Sequence, residues 1–139
     1  MVSVSAVRDG LAVRLQTISG IRVSDVVPAQ PNDHVDKPLA FIEPPAEIDY
    51  HASFSGTADL VFTITVMVPI GAGLKRAQDA IDPYLDTTGT TSIKAAIEGD
   101  KTLDGIVHDL TVRRAFDIGL LEWGDGMRYG AKFQVEITG

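Results

Sequence analysis

The 139-residue chain contains no cysteine, which excludes disulfides, thiolate metal sites and cysteine nucleophiles together. Aromatic residues make up only 6% of it, so the core must be built from Leu, Ile, Val and Ala, with Trp123 and the few Tyr and Phe as isolated large fillers. An excess of positive charge is also missing. Twelve Lys and Arg are scattered among nineteen acids, for a formal charge of −7, and an acidic surface repels a nucleic-acid backbone. No run reaches the roughly eighteen apolar residues of a membrane span; the longest candidate, residues 60–70, is interrupted by Thr63, Thr65 and Pro69 and reads as a strand. The N-terminus lacks the basic-then-apolar order of a signal peptide, so the expected compartment is the cytoplasm where the chain is made.

What is present suffices for one domain over residues 1–139, since 45% of the chain is hydrophobic. Val4, Val7, Leu11, Leu15 and Ile18 recur at steps of three and four, which predicts an amphipathic helix stopped by Gly20. Ile21, Val23 and Val26 alternate weakly as a strand. Beyond them Pro28, Pro31 and Pro38 bracket Asn32, Asp33 and His34 in a long polar loop. Leu39, Ala40, Phe41 and Ile42 form a short apolar run closed by Pro44 and Pro45, and Tyr50, Ala52 and Phe54 alternate with polar neighbours. The β-branched run LVFTITVMV, residues 60–68, predicts a central strand with Thr63 and Thr65 on one face and Phe62, Ile64 and Val66 on the other.

Ile70, Leu74, Ala77, Ile81, Tyr84 and Leu85 give a second helical stripe, in which Pro83 must kink the helix or begin a new turn. A short helix over residues 93–98 follows. After Gly105 the period returns to two through Val107, Leu110 and Val112, then residues 118–123, then Tyr129, Ala131, Phe133, Val135 and Ile137, predicting three strands, the last two joined by a Gly124-Asp125-Gly126 hairpin. Strands adjacent in sequence and joined by tight turns pair antiparallel. The expected fold class is therefore α+β, a largely antiparallel β-sheet with two to three helices packed on one face.

The stretch DTTGTTSIKAAIEGDKTLDGIV, residues 86–107, gathers hydroxyls and a glycine in front of the short helix. Unpaired amides at a helix N-terminus attract anions, but a nucleotide-binding loop needs its lysine directly after the second glycine, and Thr90 stands there. The competing reading is a cap: Ser92 or Thr91 opens a helix that Gly99 ends. His34 between Asp33 and Asp36 falls short of a converging ligand set, and alternation sends Asp109 to the face opposite His108. Ser19-Gly20 and Ser55-Gly56 lack the G-x-S-x-G context of a serine nucleophile. The residues thus predict no catalytic, cofactor or metal site.

Taken in order, LQTISGIRV, PLAFIEPP, LVFTITVMVPI, IDPYLD, GTTSIKAAIEGDKTLDGIVHDLTV and AKFQVEITG resemble the tail terminator family of tail-completion proteins in long-tailed bacteriophages. The resemblance runs over nearly all 139 residues, and its most specific part is residues 89–107, which contain the pattern G-x-x-S-I-x-x-A-I-x-x-D-x-x-L-x-G; the loop at residues 27–39 lies outside it. The resemblance implies a non-enzymatic virion protein of the tail and neck, assembled in the host cytoplasm. Its partners would be copies of itself in a hexameric ring, the major tail tube protein and a head-to-tail stopper or connector protein, with DNA passing the bore without specific binding. A stopper or head-completion protein of the same joint, and a small anion- or ligand-binding domain, are the alternatives.

A ring subunit buries surface against two neighbours through a contact that closes. The candidate interface residues are Pro31, Asn32, Asp33 and His34 in the polar loop, Asp49, Tyr50, His51 and Phe54 on an exposed strand edge, and Arg113 and Arg114 as ion-pair partners across a boundary.

Overall fold

The β-branched run forms β4 (Ala58–Val68), flanked on one side by β6 (Gly126–Thr138) and on the other by β2 (Leu39–Ile42) and β3 (Glu47–Tyr50). In the computed structural model, which describes residues 3–24, 38–50, 58–70, 73–123 and 126–139, the remaining strands are β1 (Arg22–Ser24) and β5 (Asp109–Trp123), and the helices are α1 (Val4–Leu15), α2 (Leu74–Leu85) and α3 (Ile93–Glu98). The sheet order is β1-β2-β4-β6-β5, with β3 also on β4. Only β1 and β2 run parallel among the pairs described. The fold is α+β, as the alternation of periods predicts.

Strand alternation decides which face the helices cover. Leu60, Phe62, Ile64, Val66 and Val68 of β4 and Ala131, Phe133, Val135 and Ile137 of β6 share one core with buried residues of all three helices. Leu11, Leu15, Phe62 and Ile64 are each under 2% exposed, and burying such side chains contributes on the order of 2 kcal/mol apiece. Thr63 and Thr65 fall on the opposite face, as the alternation predicts. There Leu39, Phe41 and Met67 form a second, smaller cluster with Leu121 against it.

Two expectations are corrected. Helix α1 ends at Leu15 with Gln16 as its cap residue, not at Gly20; Gln16 N–H donates to the Ala12 carbonyl, and a Thr17–Arg14 bond tightens the exit. Ile18 nevertheless stays buried at 3% exposure. The two strands expected between Gly105 and Trp123 are one, β5, whose ladder to β6 is broken by irregularities between Val112 and Arg114 and between Phe116 and Gly119. Each inserts an extra residue and swaps the faces that odd and even positions occupy, so alternation read from the sequence loses its phase there. Helix α2 runs through Pro83 and ends two residues later, the proline removing an amide bond only in the last turn.

Gly130, where β6 passes β4, has no room for a side chain: a Cβ there would overlap the Val66 carbonyl oxygen and crowd Leu121 Cδ1 at 3.0 Å. Gly130→Ala is expected to cost about 1–3 kcal/mol, read as an earlier midpoint in urea unfolding with the slope unchanged.

Candidate functional site

The segment singled out in the sequence is a set of internal braces. Ser92 is the N-cap of α3: its Oγ accepts from Ala95 N–H at 3.0 Å and donates to the Asp86 carbonyl at 2.5 Å, with the residue 1% exposed. Thr91 Oγ1 donates to the Pro83 carbonyl at 3.4 Å. Both hydroxyls serve the backbone, and the cap reading describes them. Ile93 and Ile97 point from α3 into the core, each 0% exposed, and the Ala96 carbonyl accepts from Arg14 Nε of α1 at 2.9 Å.

Beyond Gly99, the Asp100 carboxylate accepts from Asp104 N–H at 2.8 Å and Thr102 N–H at 3.2 Å. These bonds, the Asp104 amide first, hold its pKa below the usual carboxylate value. The turn they organise puts Leu103, Asp104 and Gly105 successively at φ 48°, 59° and 85°, a left-handed path that only the glycine takes without cost. Its product is Leu103, 3% exposed and seated on α1 where Gly10 leaves space. Ser92, Ile93, Ala96, Ile97, Asp100, Leu103 and Gly105 of the motif each have a capping, packing or turn role.

Helix α3 also finishes one edge of the sheet. Glu98 Oε2 accepts from Val112 N–H of β5 at 2.9 Å and from Lys94 Nζ at 2.6 Å. Partial burial alone would raise the Glu98 pKa, but the Lys94 ammonium and the Val112 amide outweigh it and the carboxyl sits below its ordinary value. Past Val112 the outer edge of β5 has no hydrogen-bonding partner among the described residues. Arg113, Arg114 and Ala115 are exposed there. Arg114 Nε donates to Gln134 Oε1 at 2.7 Å, and its guanidinium lies 4.5 Å from the centre of the Phe116 ring.

At the other side of the sheet, β3 pairs only with β4 among the described residues. Glu47, Asp49 and Tyr50 are exposed, Tyr50 at 77%. Glu47 and Asp49 line a cleft of about 210 Å³ with Asp59 and Glu136. The candidates thus separate: Asp49 and Tyr50 lie on one edge, Arg113 and Arg114 on the opposite one. Pro31, Asn32, Asp33, His34, His51 and Phe54 lie outside the described residues, as does most of the Gly124-Asp125-Gly126 loop. Sequence reasoning missed Glu98 and Lys94, the pair that closes β5 at Val112; their i,i+4 spacing on a helix was the available signal.

Among the described residues no group of three or more His, Cys, Asp or Glu is placed to hold a metal ion, and no helix is long and apolar enough to cross a membrane. No family model matches the chain, and no curated protein matches it.

Because the folded Glu98 pKa lies below its unfolded value near 4.5, its stabilisation is present above that value and lost as pH falls through the folded pKa. Thermal melts should show the native chain losing stability below about pH 4.5 more steeply than Glu98→Gln, the two curves converging in acid. Parallel curves would refute the assignment.

Proposed function

We propose that the chain is a structural virion protein that forms a ring on the head-proximal end of a phage tail tube, ends tube polymerisation and offers a surface to the head connector. The reading rests on the resemblance over residues 89–105, and the observation that carries it is the commitment of that motif to capping and packing. A pattern whose polar members are spent on braces encodes a framework. In support, among the described residues the sheet has an edge without a backbone partner on each of two opposite sides, which suits a subunit with two neighbours. The net charge of −7 suits a bore that DNA crosses without being gripped, since like charge disfavours tight binding.

Electron microscopy of the purified chain mixed with tail tubes tests this. The expected result is a ring on one tube end, with a free or bound assembly of about 90 kDa, six times the 14.9 kDa chain. Tubes that keep growing in its presence, with the chain monomeric by light scattering, would overturn the proposal.

A further inference from the structure

We infer that adjacent copies of this chain join edge to edge, the open part of β5 in one copy adding as a strand to β3 of the next, with Arg114 facing Glu47 and Asp49. This rests on the ring reading and specifies its contact.

Edge strands carry unpaired backbone groups that template pairing with another chain unless something blocks them. The structure blocks β5 at Val112, where Glu98 and Lys94 occupy the N–H and carbonyl, and beyond it the outer edge has no partner among the described residues. Between the two ladder irregularities lies a short regular stretch, Arg114, Ala115 and Phe116. Its length suits the four residues of β3.

Charge selects the occupant. The β5 stretch is entered through Arg113 and Arg114 and has no acid before Asp117. Strand β3 reads Glu-Ile-Asp-Tyr, and neither Glu47 nor Asp49 has an ion pair among the described residues. The cleft they line also holds Glu136, so a cation from outside set beside Glu47 and Asp49 meets a negative surface. The other strand on that side of the sheet, β1, presents Arg22, a like charge that disfavours β5.

Direction and face agree as well. Counting antiparallel pairs from β3 through β4 and β6 to β5 makes β5 antiparallel to β3. Rotation about a ring axis keeps the component of strand direction along that axis, so with the edge strands running along it β5 of one copy meets β3 of its neighbour in the antiparallel sense. Arg114 lies opposite Gln134, on the face away from the helices. Glu47 and Asp49 lie opposite Val61 and Asp59, on that same face. A sheet continued across the boundary therefore places the arginine and the two acids side by side, with every copy's helices on one side. The hydrogen bond to Gln134 and the stacking on Phe116 hold the guanidinium in place in advance. The contact joins two different surfaces, so it propagates head to tail and can close.

The absence of cysteine makes the test clean. Tyr50→Cys and Ala115→Cys, one on each edge, are prepared separately, concentrated until light scattering shows mass above the monomer, and treated with a short bismaleimide. Cross-linked dimer is expected only when the two variants are mixed, and a ladder when both changes sit in one chain. Arg114→Glu should weaken self-association at least tenfold, and Asp49→Lys in the same chain should restore it to within about threefold. The restoration separates lost contact from lost fold. Cross-linking of either variant alone, or assemblies with no cross-link in the mixture, would overturn the edge contact while leaving the ring reading standing. A chain that stays monomeric both concentrated and with tail tubes would overturn both.

Discussion

The constraint on which the structure depends is the double pairing of β4. An eleven-residue strand with nine residues buried cannot leave its amides unsatisfied, because a buried unpaired backbone group costs as much as a lost hydrogen bond or more. Strand β6 satisfies one side along ten registered pairs. The other side is shared by β2 and β3, with Glu43 N–H bonding to the Thr63 carbonyl and Ala46 N–H to the Val61 carbonyl across the Pro44-Pro45 break. Once β4 is held so, its even-numbered residues form a floor that the helices must cover, and the rest of the fold is the covering.

Much of this was legible because local preference and global fold agree. The β-branched residues of β4, the stripe of α1 and the Ser92 cap each point to one conformation, and the structure adopts it. What escaped reading is the phase of β5. A bulge has no compositional mark as strong as a proline or an Asn-Gly turn, and two of them flip the inside-outside pattern twice within fifteen residues. Asp117 at φ 51° and Gly119 at φ 148° mark the second, yet neither residue type announces it. The places of Asp49, Tyr50, Arg113 and Arg114 were not legible: acids on one segment and adjacent arginines on another say nothing about lying on opposite edges until the strand order is known.

The motif at residues 89–105 shows how one pattern has two chemical readings that geometry separates. Hydroxyls before a helix mean an anion site if they face out and a brace if they face in. Ser92 faces in, with its oxygen both donating and accepting, and the six-residue helix it opens is too short to stand without such support. The left-handed run at Leu103 and Asp104 is strain of the kind often found at active sites. Here it delivers a leucine to the core beside Gly10, which gives the strain a packing purpose.

The same module explains where, among the described residues, the β5 edge is closed and where it is not. Helix α3 lies against β5, and its last turn supplies the carboxylate and the ammonium that finish the edge at Val112. That closure reaches one residue because α3 ends at Glu98; a longer helix would have covered more of the strand or forced it away. An uncovered edge is a liability in a monomer, and a chain that avoided self-pairing would place charge of one sign on both edges so that copies repel. Here the short stretch of β5 past Val112 carries Arg113 and Arg114, while β3 carries Glu47 and Asp49. On the edge contact proposed above, these opposite charges would draw copies together in a single order, and the exposed strand would serve as a directional joint rather than a hazard of disordered aggregation.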